Sequence, residues 1–186
     1  MRPTTPNILA VLDRATETEV INGRNWYLEA HAFACVLDGT RDGRVGAGVI
    51  AALSPITPWD RNVVLARRAF DEGRLTGGTL GNSVRAANRI LDGEEPLEVL
   101  QGLKVRNFFG SIVNPSCTKS VCIDRHAFDV AVGRITDDRS RGTLKRVAVY
   151  ESFARAYSRA AVASGLSAAT VQAVTWVTWR REKGLH

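Results

Sequence analysis

Residues 100–133 read LQGLKVRNFFGSIVNPSCTKSVCIDRHAFDVAVG, and the folding of this stretch decides how the rest of the chain is read. Gly102-Leu103-Lys104 follows Leu97, Val99 and Leu100, and it predicts a short turn that ends one helix and starts another. From Lys104 onward Val105, Phe108, Phe109, Ile112 and Val113 recur at three- and four-residue spacing, the mark of a helix with one buried face. Asn114-Pro115-Ser116 stops that helix, because a residue before proline is pushed out of the helical region. Val121-Cys122-Ile123 is then a short apolar extended run that delivers Asp124 to the start of another helix. In it Ala127, Phe128, Val130, Ala131 and Val132 are apolar and Gly133 is the C-cap. Aspartate is a preferred N-cap, since its carboxylate accepts a first-turn backbone N–H. The residues alone therefore leave two readings of Asp124 open, a cap or a chemical group.

Taken whole, the stretch resembles the helix-hairpin-helix DNA glycosylases, the superfamily that includes endonuclease III and the adenine glycosylases. There a hairpin L-P-G-V-G-x-K leads into a helix, and an apolar extended segment ends in V-D-T-H. Leu100-Gln101-Gly102-Leu103-Lys104-Val105-Arg106 lies over the hairpin and Ile123-Asp124-Arg125-His126 over the V-D-T-H signature. Arg106 precedes Asp124 by eighteen residues, about the family's separation. The resemblance covers roughly 46–133, with three departures. Gln101 replaces the proline, Lys104 replaces the second hairpin glycine, and Arg106 stands where bifunctional members carry a Schiff-base lysine. Arginine stays protonated and cannot form that imine.

The chain has 186 residues, 45% of them hydrophobic, enough for one sizeable core, and the simplest expectation is a single all-α domain over 1–186. The start Met1-Arg2-Pro3-Thr4-Thr5-Pro6 is too polar for a signal peptide and no apolar run reaches membrane length, so a cytoplasmic protein of a bacterium or a phage-infected host is expected, with no membrane partner. Cys35, Cys117 and Cys122 are odd in number and lack zinc spacing, which predicts reduced thiols, no metal and no cofactor. A formal net charge of +6 and a pI near 9.7 favour an anionic partner such as nucleic acid. Arg134, Arg139, Arg141, Lys145 and Arg146 cluster in one segment with Asp137 and Asp138 between them, as in a phosphate-contacting loop or a solvated linker.

Along the chain, periodicity predicts a short helix or arm over 6–14, a helix over 25–38 that carries Glu29 and His31, and a small-residue core helix over 43–53. Ser54-Pro55-Ile56-Thr57-Pro58 breaks the chain, and Pro58 suits the first position of a helix to about Glu72 that buries Val63, Val64, Leu65, Ala66 and Phe70 in part. A glycine-punctuated loop spans 73–81, too irregular for a dinucleotide fingerprint. Helices follow over 82–91 and 144–163, and Ser167 caps the last one, in which Trp176 and Trp179 share a face suited to a core or to base stacking.

The resemblance implies an all-α, two-lobed helical bundle with a helix-hairpin-helix-like element and a central cleft between the hairpin and the Asp124 helix. It implies a monofunctional DNA glycosylase-like enzyme that acts on a flipped base of duplex DNA, normal or modified, with Asp124 and His126 as catalytic residues. Gly102, Lys104, Arg106 and Arg125 would bind DNA, and Ile56 would fill the gap left by the extruded base. Two further readings stay open: a base-hypermodification transferase on the same fold, as in phage thymine modification, and a non-catalytic nucleic-acid-binding protein.

Overall fold

The structure is a computed structural model that describes residues 1–116 and 120–185. The described residues form α1 (Thr5–Leu12), α2 (Glu17–Asp38), α3 (Arg44–Leu53), α4 (Trp59–Asp71), α5 (Gly81–Leu91), α6 (Pro96–Val99), α7 (Leu103–Val113), α8 (Arg125–Val132), α9 (Asp138–Arg141), α10 (Val147–Ser164) and α11 (Ala168–Lys183). A 3-10 turn, Gly142–Lys145, joins α9 to the segment before α10. Among the described residues there is no strand, so the fold class is all-α. No single helix among them is long and apolar enough to cross a membrane.

The chain divides into two compact units, one formed by Met1–Leu28 with Pro115–His186 and the other by Glu29–Asn114. In the second unit the centre is α3, whose residues from Gly46 to Leu53 are all buried. It packs on α4, α5, α6 and α7. Its small residues permit close contact: a Cβ on Gly46 would strike the Ala34 carbonyl oxygen and lie 2.9 Å from the Ala34 Cα. Burying these aliphatic side chains contributes roughly 25 cal/mol for each Å² taken out of water. Asn88 on α5 fastens the 73–81 loop by accepting from the Leu75 N–H at 2.8 Å and donating to the Leu75 carbonyl at 2.9 Å, which keeps Leu75 in the core.

In the first unit α1, α8, α10 and α11 pack together around Ile8, Phe128, Phe153 and Tyr157. Phe128 stacks on Phe153 with ring centroids 4.5 Å apart. Buried Asp129 in the middle of α8 accepts from the Thr136 N–H at 3.1 Å, the Thr136 hydroxyl at 2.5 Å and the Arg141 guanidinium at 2.7 Å. That carboxylate orders the basic segment; Arg134, Arg139, Lys145 and Arg146 are exposed around it, while Arg141 is committed to Asp129 and Asp138.

Several element boundaries differ from expectation. α2 begins at Glu17, not Asn25, because Thr16 and Glu19 reciprocally cap its start and Gly23 lets the helix approach Val174 of α11 closely. Pro58 is the N-cap of α4 and not its first residue; Leu65 and Ala66 are buried and Val63 and Phe70 half-buried as expected, but Val64 is exposed, and Asn62 and Ala69 complete the buried face. The helix expected over 144–163 starts at Val147, after α9 and the 3-10 turn. Cys35 is a free thiol, Cys122 is buried, and Cys117 lies outside the described residues.

Candidate active site

The extended run before α8 is held from α10. The Tyr150 hydroxyl donates to the Val121 carbonyl at 2.8 Å and accepts from the Ile123 N–H at 2.9 Å. One turn beyond Asp124, the Tyr157 hydroxyl donates to the Ala127 carbonyl at 3.1 Å. Burial pushes the Tyr157 phenol far above the ordinary tyrosine range, so it stays a neutral donor. Two tyrosines seven residues apart on α10 thus brace both sides of the carboxylate.

Asp124 is an extended N-cap residue, as its sequence position predicts, and its Oδ1 accepts from the Ala127 N–H at 2.8 Å. Its Oδ2 accepts from the indole Nε1–H of Trp176 at 3.1 Å. The residue is half-buried, and among the described residues no cationic nitrogen forms an ion pair with it. Its two partners are neutral, so the carboxylate charge is oriented without being cancelled.

His126 is 6% exposed. Its Nε2 accepts from the Arg125 Nε–H at 3.2 Å, which assigns the proton of the neutral ring to Nδ1. That Nδ1 is buried without a partner. Burial lowers the imidazole below its ordinary value; Asp124 opposes this, and Arg125 and Arg180 reinforce it. The ring is therefore neutral near pH 7. It meets Trp176 edge-on, with centroids 6.2 Å apart, and the Arg180 guanidinium lies 4.3 Å over the indole.

Asp124, Arg125 and His126 thus come together in the first unit. The other candidates belong to the second. Gly102 caps α7 at φ +83°, a backbone that disfavours side chains although a Cβ there would meet nothing within 4 Å. Lys104 is half-buried and Arg106 exposed in the first turn of α7, where the Arg106 N–H closes onto the Gly102 carbonyl at 3.1 Å. Ile56, between α3 and α4, is 88% exposed at φ +60°, the one non-glycine at positive φ among the described residues. Its neighbours are anchored: the Thr57 and Thr79 hydroxyls are 3.0 Å apart and Arg61 grips the Gly78 carbonyl.

Glu29, His31 and Trp179 take other places in the fold. Glu29 is exposed on α2. The His31 Nδ1–H donates to the Ile112 carbonyl at 3.0 Å, which uses the ring in packing. Trp179 is 2% exposed with the Lys183 ammonium 4.7 Å from its ring centroid, so it seals the core. Sequence reasoning missed the link from Trp176 to Asp124, which spans 52 residues, and the tyrosine braces. The spacing of Trp176 and Arg180, four apart on one helix, was the available signal for their stacking.

The sequence model of a family of unknown function, DUF7178, matches residues 1–183. No curated protein and no solved structure matches the chain.

Proposed function

The chain belongs to this family of unknown function, and we propose that it is a DNA glycosylase-like enzyme that acts on a base flipped out of duplex DNA. The observation that carries the reading is the Asp124 carboxylate: half-buried, fixed by two neutral N–H donors and balanced by no ion pair among the described residues. Breaking an N-glycosidic bond builds positive charge on the sugar. A fixed, unpaired carboxylate stabilises that charge without reorganising, and its free lone pairs can take a proton from an attacking water. His126 is neutral and offers Nδ1–H as a donor in the same neighbourhood. The glycine turn at Gly102 with Lys104 and Arg106 supplies phosphate contacts that position DNA without reading its sequence. Arg125 adds a cation next to Asp124, and Ile56 is the apolar wedge for the emptied stack. With Arg106 at the lysine position the chemistry is monofunctional, without strand cleavage through an imine.

Asp124→Asn tests this. It retains the side chain's size and much of its capping ability but removes the charge, so single-turnover base release should fall by at least about a hundredfold while the melting temperature and DNA affinity persist. The substrate is found by mass spectrometry of free bases and nucleosides after incubation with differently modified duplexes. Free base marks glycosylase action, and a new nucleoside with the glycosidic bond intact marks the transferase alternative. The Ala127 N–H bond favours a competing reading, in which Asp124 is a cap in a non-catalytic nucleic-acid-binding protein. Full activity of a folded Asp124→Asn protein would sink the proposed mechanism.

A further inference from the structure

We propose that Trp176 is the positioning residue for Asp124, with Arg180 holding the indole in place; this deepens the reading of Asp124 as the reacting carboxylate and rests on it. An N-cap aspartate needs one bond, from its own helix, and Oδ1 has it in the Ala127 N–H. A single bond leaves the carboxylate torsion loosely set, because the terminal torsion of aspartate is broad. The second oxygen receives its donor from α11, a different helix, and that bond closes the geometry. Capping does not require it.

The chemistry of the donor matters. Indole has one N–H and no acceptor, so the bond can run in one direction only. It carries no charge, so it orients Oδ2 while leaving the negative charge that an arginine or lysine partner would neutralise. The indole is itself constrained on several sides. Arg180 lies 4.3 Å over the ring, His126 meets it edge-on at an interplanar angle of 77°, and α11 is anchored by buried Val171, Val174, Thr175 and Thr178. The Arg180 guanidinium is in turn tethered to the Leu185 carbonyl at 3.2 Å. With Arg180 covering a face of the ring and the N–H directed at Asp124, Trp176 serves the carboxylate and not a stacked base.

The test has a protein-only arm and a turnover arm. In the first, the Trp176 indole signal among the four tryptophans is assigned in a proton–nitrogen correlation spectrum by its loss in Trp176→Phe. In Asp124→Ala that signal should move upfield while the other indoles stay; no movement overturns the contact and with it the proposal. In the second, Trp176→Phe keeps an aromatic ring for Arg180 but removes the N–H. Its single-turnover rate on the duplex that wild type processes should fall about tenfold, the scale of one lost hydrogen bond to a charged group, with Kd for that duplex within about twofold of wild type. A wild-type rate in Trp176→Phe, with Asp124→Asn inactive, overturns the positioning role and leaves the proposed function standing. An active Asp124→Asn overturns the proposed function itself, and the positioning role with it. Should Trp176→Phe fold poorly, the shift of the indole signal in Asp124→Ala still decides whether the contact exists.

Discussion

Ile56 is held in the left-handed region, where the β-carbon of an L-residue crowds its own carbonyl at about 1–2 kcal/mol. Burial does not offset that cost, because the side chain is 88% exposed. An exposed, strained, β-branched residue on an anchored corner is the pattern expected of a group kept for contact with something else. Ile56→Gly should therefore raise unfolding stability by roughly 1 kcal/mol in denaturant titration, while lowering the rate on a duplex relative to the same strand unpaired. A loss of stability would refute the strain, and an unchanged duplex preference would refute the wedge. At this scale the sequence was partly legible. Asp124 declared itself through the apolar run before it and the helix after it, both local patterns. The donor on its second oxygen did not, because a contact across 52 residues leaves no local periodicity to read.

For the helices, legibility followed the contrast between faces. α3 was recognisable from its small and aliphatic residues, and α8 from its cap and its glycine stop. The first eight residues of α2 were not, because Asn22-Gly23-Arg24-Asn25 has the composition of a break while tertiary contact with α11 keeps it helical. α9 is too short and polar to show a period, and its place is fixed by the Asp137 cap and by the tie from Arg141 to buried Asp129. α3 also provides the sharpest packing test. Gly46→Ala puts a methyl against the Ala34 backbone, which cannot swing aside as a side chain tip would. Overpacking of this kind costs about 1–3 kcal/mol, and α3 propensity, which favours alanine over glycine by about 1 kcal/mol, offsets only part of it. A melting temperature equal to or above wild type would show that α2 and α3 can separate without penalty.

The molecule as a whole carries a formal charge of +6, and DNA binding by phosphate contact releases condensed counterions. Affinity for duplex DNA should thus fall steeply with salt, and Lys104→Ala should reduce the slope of log K against log salt by roughly 0.9 on every sequence tried. A salt-independent affinity would remove DNA as the partner. Acid should act on the first unit through two glutamates. The Arg181 hydrogen bond, against the opposing effect of burial, holds Glu19 below the usual carboxylate range, and Arg14 does the same for Glu182. Because both values are depressed on folding, the unfolded chain binds protons more readily as pH falls past about 4.3, the ordinary glutamate value. The stability they contribute is complete above that value and disappears as pH drops through their folded-state values. Glu19→Gln should lower the melting temperature at pH 7 and flatten its decline on acidification; an unaltered decline would exclude Glu19 as a source. The division of the chain has a consequence for its synthesis. One unit is continuous, Glu29–Asn114, whereas the other is interrupted by it. Asn7 on α1 donates to the carbonyl of Ala131, a partner made 124 residues later. At roughly 5–20 residues per second the ribosome needs on the order of 6–25 s to supply it. The inserted unit can therefore fold while α1, with Ile8 and Val11 still unburied, waits for its partners, and the Asp124 carboxylate gains its Trp176 donor only when α11 has been made.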